Sequence, residues 1–440
     1  MRFQFSGYFA ILRYVRWTVK CLVYRQHGIR LLFACLPLVI CGCASARRLQ
    51  KPLPVVSAVG SADFAQATGS LLGASFLPGN RVTTLNDGEE IFSAMLRSIY
   101  RAQRTITFET FVFHQGKVAQ EFVDALAARA RAGVEVKVIL DGLGALSSGQ
   151  YHAPLRAAGV QLEIYHPIWA PDFWRINSRT HRKLLIVDGR IGFIGGVGIG
   201  DEWRGRPGGA VQWRELHYRV EGPVVAQMQA AFNSNWFKLH HDVILGAGYF
   251  PALPAVGRAQ AGVFYSAPQH GRYAVGLMYH LAIAGARKSL LIENAYFVPD
   301  DALATALCAA ARRGVKVQVI MAGRHIDFPA VRLASRKRWP QLRAAGVELY
   351  EFRGTMLHSK LLVADGLFVS VGSANFDPRS LAINDEANLN VLDLEFAREQ
   401  SRVFQRDLQR SRPVNLNSFT ASRIIELPLR WLQAPFEDQL

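Results

Sequence analysis

Two short motifs in the sequence carry the residue types that phosphoryl chemistry requires. Residues 181–188 and 358–365 both follow the pattern His-x-Lys-x-x-x-x-Asp, with identical spacing. Imidazole groups can act as nucleophile and as proton donor, while ammonium groups stabilise charge on phosphoryl oxygens. Two such motifs supply every group that exchange at a phosphodiester needs. The candidate catalytic residues are His181, Lys183, Asp188, His358, Lys360 and Asp365.

Each motif lies in an apolar run that is typical of a β-strand. Because side chains alternate across a strand, a histidine and a lysine two residues apart project from the same face. The pairs Asp188-Gly189 and Asp365-Gly366 each end one apolar run and begin the next, which is typical of a hairpin turn. We therefore expect the aspartates to shape turns, although they stay among the candidate catalytic residues.

The chain is internally duplicated. Residues 155–160, Leu-Arg-Ala-Ala-Gly-Val, recur unchanged at 342–347. Around each copy, an apolar strand with a glutamate precedes an Ala-rich helix that ends in glycine, and a β-branched strand follows. This alternation predicts parallel pairing with right-handed crossovers, and hence an α/β fold of two similar halves with the active site at their interface. The predicted strands are 106–113, 134–140, 290–298 and 315–321.

The sequence divides into five segments. The boundary between the halves falls in a stretch rich in Gly, Pro and Ala, residues 246–262. The predicted segments are a signal or membrane-anchoring region (1–48), a polar linker (49–77), the first half (78–250), the second half (251–413) and a tail with an amphipathic pattern (414–440).

The N-terminal segment indicates contact with a membrane. Its apolar run, residues 31–40, is too short to span a bilayer as a helix and suits a signal peptide. The run ends in Ile-Cys-Gly-Cys-Ala-Ser, which resembles a bacterial lipoprotein cleavage box with Cys43 as the acylated residue. A segment lying along the membrane surface and a gene start placed too far upstream stay open as alternatives.

The formal net charge of +17 favours anionic partners, such as nucleic acid, anionic lipid or phosphorylated small molecules. Residues 166–175 place two Trp and one Phe among basic residues, which suits either a membrane headgroup region or a loop folded back over the core. Four of the five cysteines lie within the first 43 residues. A disulfide framework in the main body is therefore excluded.

The paired motifs resemble those of the phospholipase D superfamily, and the resemblance covers about residues 82–411. Further phrases resemble bacterial cardiolipin synthases of the form without paired N-terminal transmembrane helices, among them Phe108-Glu-Thr-Phe, Glu293-Asn-Ala-Tyr-Phe and residues 372–380. The resemblance implies transfer of a phosphatidyl group from phosphatidylglycerol or phosphatidylethanolamine to a second phosphatidylglycerol. It implies no metal and no cofactor, an anionic phospholipid membrane as partner, and a place at the bacterial cell membrane or envelope.

The resemblance also implies roles for individual residues. His181 is expected to form a phosphohistidine and His358 to act as acid and base, while the pseudo-symmetry leaves the reverse assignment open. In the first half, residues 195–198 end in glycine where the family usually has asparagine. The site is therefore expected to be asymmetric and to lack one phosphate-binding amide. The expected substrate-binding residues are Lys183, Lys360, Asn375, Ser373 and Gly196.

Each imidazole needs a hydrogen-bond acceptor at its second nitrogen to fix its tautomer. We expect Glu386 to hold His358 and Glu215 to hold His181. The alternative, a carboxylate at the surface or at a strand end, is stronger for Glu215 than for Glu386.

Three other functions compete with the synthase. A hydrolase that releases phosphatidic acid would use the same residues with water as the acceptor. A nuclease agrees with the net charge but disagrees with the lipoprotein-like N-terminus, so nucleic acid is an unlikely partner. A non-catalytic lipid-binding protein is expected to have lost a motif histidine or lysine, and none is lost. The oligomeric state is not determined by the sequence.

Overall fold

The computed structural model describes residues 49, 53, 56–168, 177–204 and 212–415. Residues 56–240 form α1 (Ala62–Leu72), β1 (Leu77–Asn86), α2 (Asp87–Tyr100), β2 (Thr105–Thr110), α3 (Lys117–Arg131), β3 (Glu135–Asp141), α4 (Gly149–Ala157), β4 (Gln161–Tyr165), β5 (Leu184–Val187), β6 (Ile191–Gly195), α5 (Asp201–Arg204), β7 (Leu216–Glu221) and α6 (Val225–His240).

Residues 241–415 repeat the order that begins at β1, with two additional strands and one additional helix. They form β8 (Ala259–Ala267), β9 (Arg272–Tyr273), α7 (Ala274–Gly285), β10 (Ser289–Asn294), α8 (Asp301–Arg312), β11 (Lys316–Met321), α9 (Pro329–Arg336), α10 (Trp339–Ala344), β12 (Glu348–Phe352), β13 (Lys360–Ala364), β14 (Phe368–Gly372), α11 (Pro378–Ala382), β15 (Ala387–Leu392), α12 (Leu394–Gln409) and β16 (Ser411–Pro413).

The described strands join in one large sheet. Its order is β16-β12-β11-β10-β13-β14-β15-β8-β1-β7-β6-β5-β2-β3-β4, and β9 pairs with β8 outside this path. Read outward from the antiparallel β1–β8 pair, each half contributes the same succession of strands. The predicted α/β fold of two similar halves is confirmed.

The sheet is mixed rather than parallel throughout. Among the described strands, parallel pairing is confined to β2–β3–β4 in one half and β10–β11–β12 in the other. The motif strands β5 and β13 run antiparallel to β2 and β10. The start of each motif strand therefore lies at the carboxyl end of the parallel strands, the edge where sites of α/β sheets collect.

The expectation of a linker over residues 49–77 is wrong for its second part. Helix α1 begins at the N-cap Ser61, whose side chain accepts a hydrogen bond from the amide of Phe64 at 3.1 Å. The Phe64 side chain is buried in a hydrophobic cluster with residues of the second half. The apolar positions of this segment were enough to fix it on the core despite its small-residue composition.

Several predicted features lie outside the described residues. These are the leader with Cys43, most of the aromatic segment 166–175, and the tail beyond residue 415. Within the described ranges, no helix combines the length and apolar character required to cross a bilayer.

Candidate active site

Two short backbone bridges between the halves position the motif histidines. Thr180 pairs with Asp385 in parallel orientation, and Arg214 pairs with Leu357 in the same way. The amide of His181 donates to the carbonyl of Asp385 at 2.9 Å. Because parallel neighbours keep the same direction, the residue after each bridge partner lies beside its counterpart from the other half.

The first bridge places His181 against Glu386. Nδ1 of His181 lies 2.8 Å from Oε1 of Glu386, whose side chain is fully buried. The imidazole retains 12% of its side-chain exposure, and the ring of Phe111 stands edge-on to it at 5.2 Å. With Nδ1 engaged, Nε2 is the nitrogen left for a substrate.

The second bridge places His358 against Glu215. Nδ1 of His358 lies 2.6 Å from Oε2 of this fully buried carboxylate. The predicted pairing of histidines and glutamates is therefore wrong, although both glutamates do hold a motif histidine. The pairing crosses between the halves because each bridge joins a histidine strand of one half to a glutamate strand of the other.

The two glutamates are fixed by different donors. Glu386 accepts hydrogen bonds from the hydroxyls of Ser373 and Ser380. Ser373, expected to bind substrate, is thus engaged with the carboxylate instead. Glu215 accepts from the indole Nε1 of Trp203 at 3.0 Å.

The pKa values of the two glutamates shift in opposite directions. Burial raises the pKa of Glu215, and the charge of Lys360 opposes the shift only in part. Burial acts on Glu386 as well, but His181 and Lys183 outweigh it and hold the pKa of Glu386 below its usual value. Glu386 is therefore the more firmly ionised of the two partners.

Burial also governs the pKa values of the four motif bases. It lowers the pKa of His181 to about 4 against the opposing charge of Glu386, and it lowers that of His358 well below the usual range. Lys360 contributes to the shift at His181, and Lys183 contributes to the shift at His358. The side chains of both motifs therefore lie within electrostatic reach of one another, in one site.

The lysines lie beside their own histidines. Nζ of Lys183 donates to the carbonyl of His181 at 2.8 Å, and Nζ of Lys360 donates to the carbonyl of His358. Burial lowers the pKa of Lys183 to about 7, and burial likewise lowers the pKa of Lys360. Two ammonium groups in one buried site suit an anionic ligand, whose charge would raise the pKa values of both lysines.

The aspartates of the motifs lie at the opposite ends of their strands. Asp188 and Asp365 have φ values of 53° and 54°, and the glycine after each also has positive φ, as in a hairpin turn. The carboxylate of Asp188 accepts hydrogen bonds from the backbone amides of residues 103–105. The carboxylate of Asp365 accepts hydrogen bonds from the backbone amides of residues 287–289. Their inclusion among the catalytic residues is wrong, because both carboxylates fasten a turn to the strand beside it.

The two halves differ most at the position of the expected phosphate-binding amide. Asn375 is buried, its backbone amide donates to Ser380 at 2.9 Å, and its side-chain oxygen has no hydrogen-bond partner within the described residues. At Gly198, a Cβ atom would lie 2.6 Å from the ring of Trp203 and 2.7 Å from Cβ of Val112. The indole occupies the space that an asparagine would need.

Gly196 does not present a substrate-binding group either. A Cβ atom there would lie 2.5 Å from Oε1 of Glu215, so glycine is what lets the carboxylate approach the backbone.

Two residues that hold the glutamates, Trp203 and Ser380, were not predicted from the sequence. Both stand in stretches that resemble the family, and the only signal for their role was that position. Within the described ranges, no group of three or more His, Cys, Asp or Glu side chains could hold a metal ion.

Comparison with known proteins identifies the family. The family model described as "Cardiolipin synthase, PLD-like domain" matches residues 95–236 and 280–408, one segment in each half. The chain belongs to this family. Cardiolipin synthase 2 of Bacillus anthracis is 34% identical over 345 residues, which cover 78% of this chain and 67% of that protein. Cardiolipin synthase 1 of Staphylococcus epidermidis is 32% identical over 341 residues, covering 76% and 69%.

A solved structure shares the fold of this PLD-like enzyme. The phosphatidylserine synthase of Haemophilus influenzae matches with a TM-score of 0.62 and 13% identity, covering 86% of this chain and 100% of that one. At this identity the match concerns the fold alone.

Proposed function

We propose that the protein is a phosphatidyltransferase that makes cardiolipin from two molecules of phosphatidylglycerol through a phosphohistidine on His181. The observation that carries the proposal is the convergence of two histidines, each with a buried carboxylate at Nδ1, and two lysines in one site. The family assignment adds the substrate class, because the curated relatives are named cardiolipin synthases.

In the first step of the proposed reaction, Nε2 of His181 attacks the phosphorus of the donor lipid. The negative charge of the bound phosphodiester raises the pKa of His358, so that His358 enters the step protonated. The bond between phosphorus and the headgroup oxygen breaks, and His358 gives that oxygen its proton, so that free glycerol leaves. Glu386 supports His181 as the nucleophile because a firmly ionised carboxylate at Nδ1 stabilises the positive charge that develops on the imidazole.

In the second step of the reaction, the hydroxyl of the acceptor phosphatidylglycerol gives its proton to His358 and attacks the same phosphorus. The phosphorus–nitrogen bond breaks, His181 is restored, and cardiolipin leaves. His358 thus donates one proton and regains one, so the enzyme ends the cycle unchanged. Lys183, Lys360 and Asn375 stabilise the charge on the non-bridging oxygens through both steps.

The identity of the donor belongs to the same proposal. A donor lipid would lose glycerol if it is phosphatidylglycerol and ethanolamine if it is phosphatidylethanolamine, and the groups that act on phosphorus are the same.

We also propose where the protein acts and how it is divided. The site of action is an anionic phospholipid membrane, and the protein is exported and acylated at Cys43. The two halves comprise residues 78–250 and 251–413.

The test is a product analysis with purified protein. Phosphatidylglycerol labelled with phosphorus-32 should give labelled cardiolipin and free glycerol, and phosphatidylethanolamine supplied as an alternative donor should be scored by release of ethanolamine. Phosphatidic acid as the only labelled product would contradict the synthase. Asp188→Asn serves as the motif control, because its carboxylate contacts backbone amides only.

The intermediate is tested with the histidine variants. With a phosphorus-32-labelled donor lipid whose leaving group needs no proton, such as p-nitrophenol, His358→Ala should accumulate an acid-labile, base-stable labelled protein, because the nucleophile is intact while the acceptor alcohol lacks the base that takes its proton. His181→Ala should form none. Label in His181→Ala and none in His358→Ala would reverse the two roles.

A further inference from the structure

A cavity of about 280 Å³ lies between α2 and the hairpin that joins β5 to β6. It is at the end of β5 opposite to the motif histidine. Since a strand advances about 3.3 Å per residue, the five residues from Lys183 to Asp188 place it roughly 15 Å from the active site. Four arginines line this cavity: Arg97 on α2, Arg101 directly after that helix, Arg190 in the hairpin turn, and Arg219 on β7.

The positive charge of this arginine cavity is largely uncompensated. Within the described residues, the guanidinium groups of Arg97, Arg101 and Arg190 have no hydrogen bond or ion pair, whereas Arg219 pairs with Glu221. Asp188 is the only carboxylate among the lining residues, and three backbone amides already donate to it. Nothing in the lining therefore neutralises three of the four arginines.

In the second half, none of the four positions equivalent to these arginines carries a charged residue. The amides of residues 103–105 bind Asp188, and those of residues 287–289 bind Asp365, which aligns the two halves. In this alignment, Arg97 and Arg101 correspond to Leu281 and Gly285. Arg190 and Leu367 both stand two residues after their aspartates. Arg219 and Asn390 pair with Phe193 and Ser370, which occupy matching positions. All four arginines are thus particular to the first half.

The equivalent place is also covered. The amide of Val59 donates to the carbonyl of Gly285 at 3.2 Å, and a Cβ atom at Gly60 would lie 2.9 Å from Leu367. The ring of Phe64 on α1 stands edge-on to Phe368 at 5.9 Å. The fold therefore fills this position with its own chain in one half, and leaves it open and lined by arginines in the other.

We propose that the arginine cavity is an anion-binding site for a phosphate group, separate from the active site. Guanidinium groups bind phosphate oxygens in bidentate fashion with charge-assisted hydrogen bonds, and several of them around one cavity suit a group with three or four oxygens. Such a phosphate is available as the headgroup of an anionic phospholipid or as a soluble phosphate ester.

The experiment measures binding in two arms with the full chain. One arm follows inorganic phosphate by equilibrium dialysis, and the other follows co-flotation with phosphatidylglycerol vesicles against phosphatidylcholine vesicles. The variant Arg97→Gln/Arg101→Gln/Arg190→Gln should weaken binding by about tenfold or more, the loss expected for one or more charge-assisted hydrogen bonds. A loss in the vesicle arm alone identifies a lipid headgroup, and a loss in the dialysis arm alone identifies a soluble phosphate.

A matched control removes the same charge elsewhere. Arg398, Arg402 and Arg406 form an exposed row on α12, also without a hydrogen bond or ion pair within the described residues. Arg398→Gln/Arg402→Gln/Arg406→Gln should bind as the parent protein does, within about twofold. Equal losses in both triple variants, or no loss in either arm, would overturn the proposal. If the cavity variant fails to fold, Arg190→Gln in the exposed turn replaces it and should retain a measurable part of the loss.

Discussion

The two histidine–glutamate pairs occupy equivalent places, each joining a histidine of one half to a glutamate of the other, yet they are built differently. Glu386 is held by two serine hydroxyls beside a buried Asn375, whereas Glu215 is held by the indole of Trp203 beside Gly198. The pKa of Glu386 is lowered and that of Glu215 is raised. Duplication thus preserved the positions of the two histidines, while the residues that hold their glutamates diverged.

This difference teaches where a duplicated site can become asymmetric. The His-x-Lys strings are identical in spacing, so the strands that carry them stay equivalent. The side chains that donate hydrogen bonds to the two glutamates lie on segments after β6 and β14. These segments tolerate different side chains because each needs only to supply a hydrogen-bond donor. The proposed reaction needs one histidine that attacks and one that transfers protons, and the different donors to Glu386 and Glu215 agree with that proposal.

The largest expected effect comes from removing either carboxylate charge. Glu386→Gln and Glu215→Gln should each lower kcat by roughly 10²–10⁴, since the amide no longer stabilises the imidazolium or fixes its tautomer. The comparison is sharpened with a donor lipid that carries a p-nitrophenyl leaving group, which needs no proton. In a single turnover on this donor, Glu215→Gln should release p-nitrophenolate almost as fast as the parent protein, and Glu386→Gln should not. Equal recovery in both would contradict the division of roles.

A smaller loss is expected from filling the space at Gly198. Gly198→Ala places a methyl group against Trp203 and Val112, both within 2.7 Å, so the indole must move away from Glu215. We expect kcat to fall by about tenfold to a hundredfold, comparable to a displaced catalytic group. Gly149→Ala is the matched control, because a Cβ atom there meets nothing within 4 Å. Unchanged kcat in Gly198→Ala would mean that the indole position is not important.

Removing only the indole hydrogen-bond donor should lower kcat less than filling the space at Gly198 does. Trp203→Phe keeps an aromatic ring against His358 but removes one hydrogen bond to Glu215, so kcat should fall by about tenfold. Its counterpart is Ser380→Ala, which removes one of two hydroxyl donors to Glu386. The acid side of the pH–rate profile should move in Trp203→Phe, because the pKa of Glu215 rises further. A change in Tm with an unmoved pH profile would reduce Trp203 to a packing residue.

The smallest effect on activity is expected at the turn aspartates. Asp188→Asn and Asp365→Asn should leave kcat within about twofold and lower the free energy of unfolding by about 1–3 kcal/mol, because charge-assisted bonds to backbone amides are weakened. Chemical denaturation and turnover measured on the same samples check this. A large loss of kcat without a loss of stability would return these aspartates to the chemistry.

Much of this architecture could be predicted from the sequence. The repeated His-x-Lys spacing, the repeated Leu-Arg-Ala-Ala-Gly-Val string and the Asp-Gly turns all report local structure, and local structure is what periodicity encodes. The fold of two halves, the shared site and the turn role of Asp188 followed from them. The parallel pairing was overestimated, because the motif hairpins enter the sheet antiparallel to their neighbours.

The crossed pairing could not be predicted in this way. Which glutamate meets which histidine depends on the bridges Thr180–Asp385 and Arg214–Leu357, which join residues far apart in the sequence. The consequence of glycine at position 198 was equally hidden. A missing asparagine was visible in the sequence, whereas the indole that takes its place depends on packing.

The most direct test of the crossed arrangement is nitrogen-15 NMR of the histidine side chains. In protein labelled at histidine, the Nδ1 signals of His181 and His358 are assigned with His181→Gln and His358→Gln. The account predicts that Glu386→Gln shifts the His181 signal and leaves that of His358 in place, and that Glu215→Gln does the opposite. A shift of His358 in Glu386→Gln together with a shift of His181 in Glu215→Gln would contradict it.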